Sequence, residues 1–289
     1  MFLQFIINGF INGILYSVCA IGFALVYNTT RIFHIAAAAL YVIAAYSLYY
    51  AYNRMNMELP LAVFFAMAVT ALFSLASERI VYRPLYNKKS SLNVAMISSI
   101  GLMTILVNSV ALFFGNETKV IDNSIQRTYN YGELIITTPQ MYQLVGGMVV
   151  IIAFMLFIRY SRWGMQFRAL SSDDTLFEAL GYRIKQTRNI VFLLSGAFIA
   201  LAACLKVYDV GLDPQMGMNV LINAMVAMII GGTGRFNACV LGGLLLGMLQ
   251  SLVVYQFASN WQNVITFLAL LFFLFLHPQG IAGYKQRTV

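Results

Sequence analysis

The sequence predicts an all-α, polytopic integral membrane protein of about eight or nine transmembrane helices, with one short interrupted or re-entrant helix among them. Three observations carry this. Of 289 residues, 61% are hydrophobic and only 10% are charged, with a mean hydropathy of +0.78; a soluble domain is roughly 25% charged. Apolar runs recur along the whole chain, and about 20 apolar residues cross roughly 30 Å of hydrocarbon. The charges gather between those runs, above all in the segment 159–188. Five prolines and few polar clusters leave no room for a separate soluble domain, so residues 1–289 form one transmembrane domain.

The first span runs from about Leu3 to Tyr27. Gly9, Gly13 and Gly22 recur along it and allow close helix contacts. Asn8 and Asn12 are four apart, so both face a helix partner or a cavity instead of lipid. The N-terminus lacks a basic n-region and a small-residue cleavage site, so this run is expected to be a retained span. Asn28 to Arg31 breaks the pattern, and the second span follows from about Phe33 to Tyr52. Its tyrosines Tyr46, Tyr49, Tyr50 and Tyr52 read as an interfacial belt. The third span starts at Pro60, and Pro84 is expected to stop it, with Arg79 and Arg83 beside it. Leu92 to Phe114 and Met141 to Ile158 make the next two spans, separated by the polar stretch Asn116 to Gln140.

Beyond the charged segment, Asn189 to Tyr208 is a span, and Asp209 to Gly217 is a turn-rich link. Met218 to Ile230 is too short to cross upright and reads as a half-helix or a tilted span. It closes on Gly231, Gly232, Thr233 and Gly234, a break that serves either a substrate route or a tight turn. Ala238 to Phe257 and Trp261 to Leu276 complete the set, followed by a basic tail with Lys285 and Arg287. Orientation follows from Lys and Arg. Only Arg54, Lys119 and Arg127 fall on one side, and Lys206 falls within the membrane; the other basic residues share the opposite, cytoplasmic side with the C-terminus. Counting every segment as crossing puts the N-terminus outside, whereas a re-entrant segment puts it inside.

Within the charged segment, Ser172 or Asp173 can cap a short helix that Gly181 ends in the left-handed conformation. Leu176, Ala179 and Leu180 share one face, with Phe177 beside them. Such a helix suits docking into another protein's groove; a solvated loop with one helical turn is the plainer alternative.

The chain lacks the residue sets of several chemistries. There is no GxxxxGK[ST] loop to hold ATP, no HExxH, no Cys/His cluster for a metal and no cofactor motif. Cys19, Cys204 and Cys239 lie in apolar runs without paired spacing and read as small core residues. The net charge of +8 belongs to cytoplasmic loops beside anionic lipid and not to nucleic-acid binding. His34, at the start of the second span, is an interfacial residue or a pathway candidate, and His277 ends the last span. Lys206 and Asp209 are three apart on one face and read as a snorkelling pair or as part of a substrate path.

Several motifs taken together resemble the LivH-type permease subunit of branched-chain amino acid ATP-binding-cassette importers. They are Glu78-Arg79-Ile80-Val81-Tyr82-Arg83-Pro84-Leu85; Trp163-Gly164-Met165 through Arg168-Ala169; Asp173, Asp174 and Ala179-Leu180-Gly181; Pro214 with Met216-Gly217; Gly231-Gly232-Thr233-Gly234; Gly242-Gly243-Leu244-Leu245-Leu246-Gly247; and Pro278-Gln279-Gly280. The resemblance implies a permease domain over 1–289 in a multi-pass protein of the bacterial inner membrane, carrying branched-chain or related amino acids inward. It also implies a coupling loop, 159–188, in which Arg168, Asp173, Asp174, Glu178, Ala179, Leu180 and Gly181 meet an ATPase. The partners implied are a second permease subunit, two ATP-binding subunits and an extracytoplasmic solute-binding protein; no enzyme activity resides in this chain.

One departure stands out. Where the family reads Asn-Phe-Ala-His-Gly, this chain has His34, Ile35, Ala36, Ala37 and Ala38. If that turn lines the route, the cargo differs, and urea, short amides or another small organic solute become alternatives. The pathway candidates are Asn8, Asn12, His34, Gly231, Gly232 and Gly234. A stand-alone channel or secondary transporter is the rival class, as is a membrane enzyme, which the missing catalytic set disfavours.

Overall fold

The computed structural model describes residues 2–122, 127–131, 134–277 and 279–282. Pro278, Glu133, Lys285 and Arg287 lie outside them. The chain opens with α1 (Phe2–Thr30) and the short α2 (Ala37–Tyr49), which widens into a π turn over Tyr50–Arg54. Helix α3 (Leu59–Ser77) passes through a second π turn, Glu78–Tyr82, into α4 (Arg83–Asn87). After α5 (Leu92–Phe114) comes an antiparallel hairpin, β1 (Thr128–Tyr131) with β2 (Leu134–Thr137), Thr128 opposite Thr137. The helices α6 (Thr138–Tyr160), α7 (Arg162–Ser172), α8 (Asp174–Ala179), α9 (Ile184–Val210), α10 (Met216–Gly231) and α11 (Ala238–Gln256) follow. A 3₁₀ turn then leads to α12 (Gln262–Leu276).

Among the described residues, seven helices are long and apolar enough to cross a membrane, the α3–α4 unit counted once. The other two apolar segments are α2, whose 13 residues continue through the π turn Tyr50–Arg54, and α10, of 16 residues. At 1.5 Å per residue α10 rises only about 24 Å. Both are internal. Every residue of α2 from Ala37 to Tyr46 is buried, and it packs against α3, α5, α9 and α10. A helix apolar on all faces belongs in the centre of a bundle, not against lipid. This corrects the reading of Phe33 to Tyr52 as a full span with a tyrosine belt. Tyr46 is 1% exposed, with its ring 4.9 Å from that of Phe114.

End-to-end contacts set the direction of each segment. Gln4 exchanges two 2.9 Å hydrogen bonds with the Ile135 backbone, so α1 begins beside the hairpin. Lys119 and Leu212 exchange backbone bonds at 2.8 and 2.9 Å, which places the α9–α10 link at that same end. At the other end, Arg31 Nη2 donates to the Ser171 carbonyl at 2.9 Å, and the Gly234 amide donates to Asn28 Oδ1 at 3.1 Å. The Ile281 amide reaches the Ile230 carbonyl there too. The segments α1, α2, α3–α4, α5, α6, α9, α10, α11 and α12 therefore alternate, and the start of α1 and the end of α12 lie at opposite ends of the bundle. The reading in which every segment is counted is the one the geometry follows.

Helix α1 is the central post, packed on α9, α10 and α11. Its glycines meet glycines of α11: a Cβ on Gly247 would land on the Gly13 backbone, and one on Gly243 would sit 2.6 Å from the Ser17 amide nitrogen. Such contacts are available only to small residues. Hydroxyls tie the same surfaces, with Ser17 Oγ donating to the Val240 carbonyl at 3.0 Å and Ser195 Oγ to the Gly22 carbonyl at 2.7 Å. Pro84 does not stop the third span. The π turn before it widens the helix where proline withholds its N–H, and the helix continues to Asn87. Likewise, α1 runs on through Asn28 to Thr30, where the hydroxyls of Thr29 and Thr30 return to carbonyls of the preceding turn.

Candidate functional site

A cavity of about 510 Å³ lies at the hairpin end of the bundle. It is walled by α1, α2, the end of α9, the α9–α10 link, the start of α10 and the start of α12, with Thr118 at its edge. The exposed residues Gln215, Asn219 and Asn263 carry it to the surface. Asn12, Tyr16, Tyr41, Lys206, Asp213, Asn223 and Gln262 supply its polar groups, and Leu15, Val207, Met216 and Val220 supply apolar wall.

Two hydrogen-bonded sets hold these groups. Lys206 Nζ donates to Asn12 Oδ1 at 3.0 Å. Asp209, expected to pair with Lys206, instead accepts from Gln143 Nε2 at 3.2 Å. Among the described residues no carboxylate lies within ion-pair distance of Lys206. The second set closes the cavity floor. Tyr16 donates to Gln250 Oε1 at 2.8 Å, Gln250 Nε2 donates to Asn223 Oδ1 at 3.1 Å and to Thr266 Oγ1 at 2.6 Å, and Thr266 donates to Asn223 Oδ1 at 3.2 Å. Polar groups at this depth persist only when satisfied in this way.

Toward the opposite end the polar groups are buried and bonded to one another. His34 is fully buried; its Nδ1 shares a 2.8 Å hydrogen bond with the Tyr82 hydroxyl, which donates to Ser99 Oγ. Ser99 Oγ in turn accepts from the Ala36 amide, so the turn His34–Ala38 is held inside the bundle and, of its residues, none lines the large cavity. Gly231 and Gly232 are buried in a reversal here, and Gly234 follows with open space beside it. A Cβ on Gly231 would fall on the Ala238 carbonyl oxygen, and Gly232 has φ 124°, a conformation that side chains resist. Of the sequence candidates, then, Asn12 lies in the cavity, Asn8 accepts from Gln4 outside it, and His34 with the three glycines lies toward the opposite end.

The charged segment hangs below that end. Asp173 is the cap: its Oδ1 accepts from the Thr175 hydroxyl at 2.6 Å and from the Thr175 and Leu176 amides at 2.8 and 3.0 Å. Those bonds, the hydroxyl first, hold its carboxyl below the usual aspartate range. Gly181 has φ 84°, the left-handed terminator expected of it. Phe177 turns inward onto Leu170 and Ile184, while Leu176 and Leu180 stay 58% and 64% exposed. Arg168, Asp174, Glu178 and Ala179 are exposed beside them. Where the segment joins α9, Arg188 is buried against Glu78, Nε to Oε1 at 2.8 Å and Nη2 to Oε2 at 3.0 Å, with its guanidinium 4.6 Å over the Tyr86 ring. Arg83 reaches Asn189 Oδ1 at 2.6 Å.

The profile of the family described as "Branched-chain amino acid transport system / permease component" matches residues 5–274. This chain belongs to that family. The permease protein BraD of Pseudomonas aeruginosa, a high-affinity branched-chain amino acid transport system protein, is 30% identical over 99% of this chain and 97% of its own length. The corresponding LivH of Escherichia coli K12 is 28% identical over 99% and 96%. A probable LivH of Methanocaldococcus jannaschii is 23% identical over 93% and 89%. The solved structure of PsaBC from Streptococcus pneumoniae in complex with Fab covers 96% of this chain and is covered over 97% of its own, with a TM-score of 0.54 at 14% identity, a likeness of fold. As a permease component, the chain is a transport protein and not an enzyme, and it works with an ATP-binding partner and a partner permease. Its spanning helices and its relatives make it a multi-pass inner-membrane protein.

The sequence, which offers Lys206 as part of a substrate path, does not show the floor network or the bond from Lys206 to Asn12. The signal was present: Asn219 and Asn223 are four apart on a short apolar helix, and Gln250 with Ser251 interrupts the apolar run of α11. Helix spacing alone could not bring Tyr16, Gln250, Asn223 and Thr266 together, since they come from four helices.

Proposed function

We propose that this chain forms half of the translocation pathway of an ATP-binding-cassette importer that moves branched-chain or related amino acids into the cytoplasm. The second half is another permease subunit, two ATP-binding subunits dock on the cytoplasmic side, and an extracytoplasmic solute-binding protein delivers cargo to the hairpin side. The N-terminus is outside and the C-terminus cytoplasmic, as the excess of Arg and Lys at the end opposite the hairpin supports.

The observation that carries this reading is the polarity of the molecule. A cavity with polar groups in an apolar wall opens at the hairpin end, His34, Tyr82 and Ser99 are buried toward the far end, and a capped helix presents Leu176 and Leu180 beyond it. That is the arrangement of an importer awaiting ATP-driven rearrangement. Arg168, Asp173, Asp174, Glu178, Ala179, Leu180 and Gly181 form the coupling surface. The urea and short-amide alternative rested on the turn His34–Ala38, none of whose residues lines the large cavity. The stand-alone channel loses ground to the exposed docking helix.

The test is uptake by proteoliposomes holding the chain with its second permease, ATP-binding and solute-binding partners. Labelled leucine accumulates only with internal ATP. Leucine passage without ATP would favour the channel, and urea uptake exceeding that of leucine would favour the other cargo class.

A further inference from the structure

Lys206 is a cation near the end of a spanning helix; among the described residues no carboxylate lies within ion-pair distance of it, and Asp209, three residues on, attracts it only through space. Asn12 accepts from one of its three N–H donors, and Asp209 is turned away to Gln143. An ammonium at such depth is costly and is kept where it serves a passing ligand or a partner charge. It lies in the wall of the cavity, together with the carboxylate of Asp213. The wall thus offers one cation and one anion, with aliphatic surface from Leu15, Val207 and Val220 between polar groups. This balance suits neither a polyanion nor a cation. A small zwitterion with an apolar side chain matches it, and about 510 Å³ falls within the range of roughly 300–1,000 Å³ usual for small-molecule sites.

We propose that this cavity is a transient recognition site for the free amino acid after its release into the permease. Lys206 takes the α-carboxylate, and the acceptors of the wall, Asp213 foremost, take the α-ammonium. The assignment rests on the importer reading above and adds the group that reads the cargo. Asn12 sets the direction of the ammonium without neutralising it, because an amide oxygen accepts a hydrogen bond but carries no charge. Ion pairs in a cavity that reaches water are weak, which suits a site the cargo must leave.

The experiment is charge rescue in the assembled importer. Lys206→Cys removes the ammonium; Cys19, Cys204 and Cys239 are buried, and the unmodified wild-type complex treated with each reagent is the control. Reaction with 2-aminoethyl methanethiosulfonate rebuilds an ammonium of similar reach, and methyl methanethiosulfonate adds bulk alone. ATP-driven leucine uptake by Lys206→Cys is expected to fall at least tenfold with the complex still assembled. The cationic reagent restores a third or more of it, and the neutral reagent restores none. Lys206→Arg retains most uptake. Wild-type uptake by Lys206→Cys, equal rescue by both reagents, or no rescue by the cationic reagent after labelling is complete would each overturn the site while the importer reading stands. Failure of the wild-type complex to move leucine would overturn both.

Discussion

Arg188 and Glu78 join the end of the charged segment to the π turn of the third span, and replacing Arg188 with methionine isolates what the pair does. The side chains of Arg188 and Glu78 are 4% and 1% exposed, and two charge-assisted hydrogen bonds link them. Removing one partner of a buried pair costs about 3–5 kcal/mol, since the other charge is left unpaired. The Tyr86 face beneath the guanidinium adds roughly 0.5–2 kcal/mol. A loss of about 4 kcal/mol corresponds to a fall in thermal midpoint on the order of 10 °C. The assay is the midpoint of detergent-solubilised protein, followed by the fraction that stays monodisperse. Glu78→Leu combined with Arg188→Met should recover much of the loss, because two apolar residues leave no stranded charge. An Arg188→Met midpoint within two or so degrees of wild type, or a double variant no better than the single one, would refute the account.

Leu180→Asp should leave the isolated chain folded, since Leu180 is 64% exposed, yet release the ATP-binding subunit; burying the carboxylate in the partner's groove costs about 3–5 kcal/mol, over a hundredfold in affinity, and full retention on co-purification would count against the docking helix. Gly243→Val should abolish folded protein, because its Cβ meets the Ser17 backbone, whereas Gly232→Val strains one φ 124° position by about 1–3 kcal/mol and should lower uptake more than extracted yield. Normal uptake by Gly232→Val would make that turn incidental. A cysteine at Lys88 should react with an impermeant thiol reagent only from the cytoplasmic face and one at Leu3 only from outside; labelling of both from one side would contradict the alternation of nine segments.

Hydrophobic composition and run length determined, by themselves, that this chain is an all-α membrane bundle, because hydrocarbon admits only backbone that satisfies its own hydrogen bonds. Local chemistry was equally legible where it depends on neighbours in sequence. Asp173, one of the two caps the sequence offered, caps α8, Gly181 ends it in the left-handed conformation, and residues 172–176 and 178–183 of the charged segment are exposed. Run length could not show that α2 is an internal helix, since Ala, Leu and Tyr look alike to a hydropathy scale whether they face lipid or protein. Pro84 carried a stop signal that a π turn overrode. The direction of each segment came only from long-range bonds such as Gln4 to Ile135 and Asn28 to Gly234. The same holds for Lys206: its sequence neighbour is Asp209, but its bond is to Asn12 on another helix. Three-residue spacing fixes which face two side chains share, and only the packing of α1 and α6 on α9 decides which of them each neighbouring helix takes.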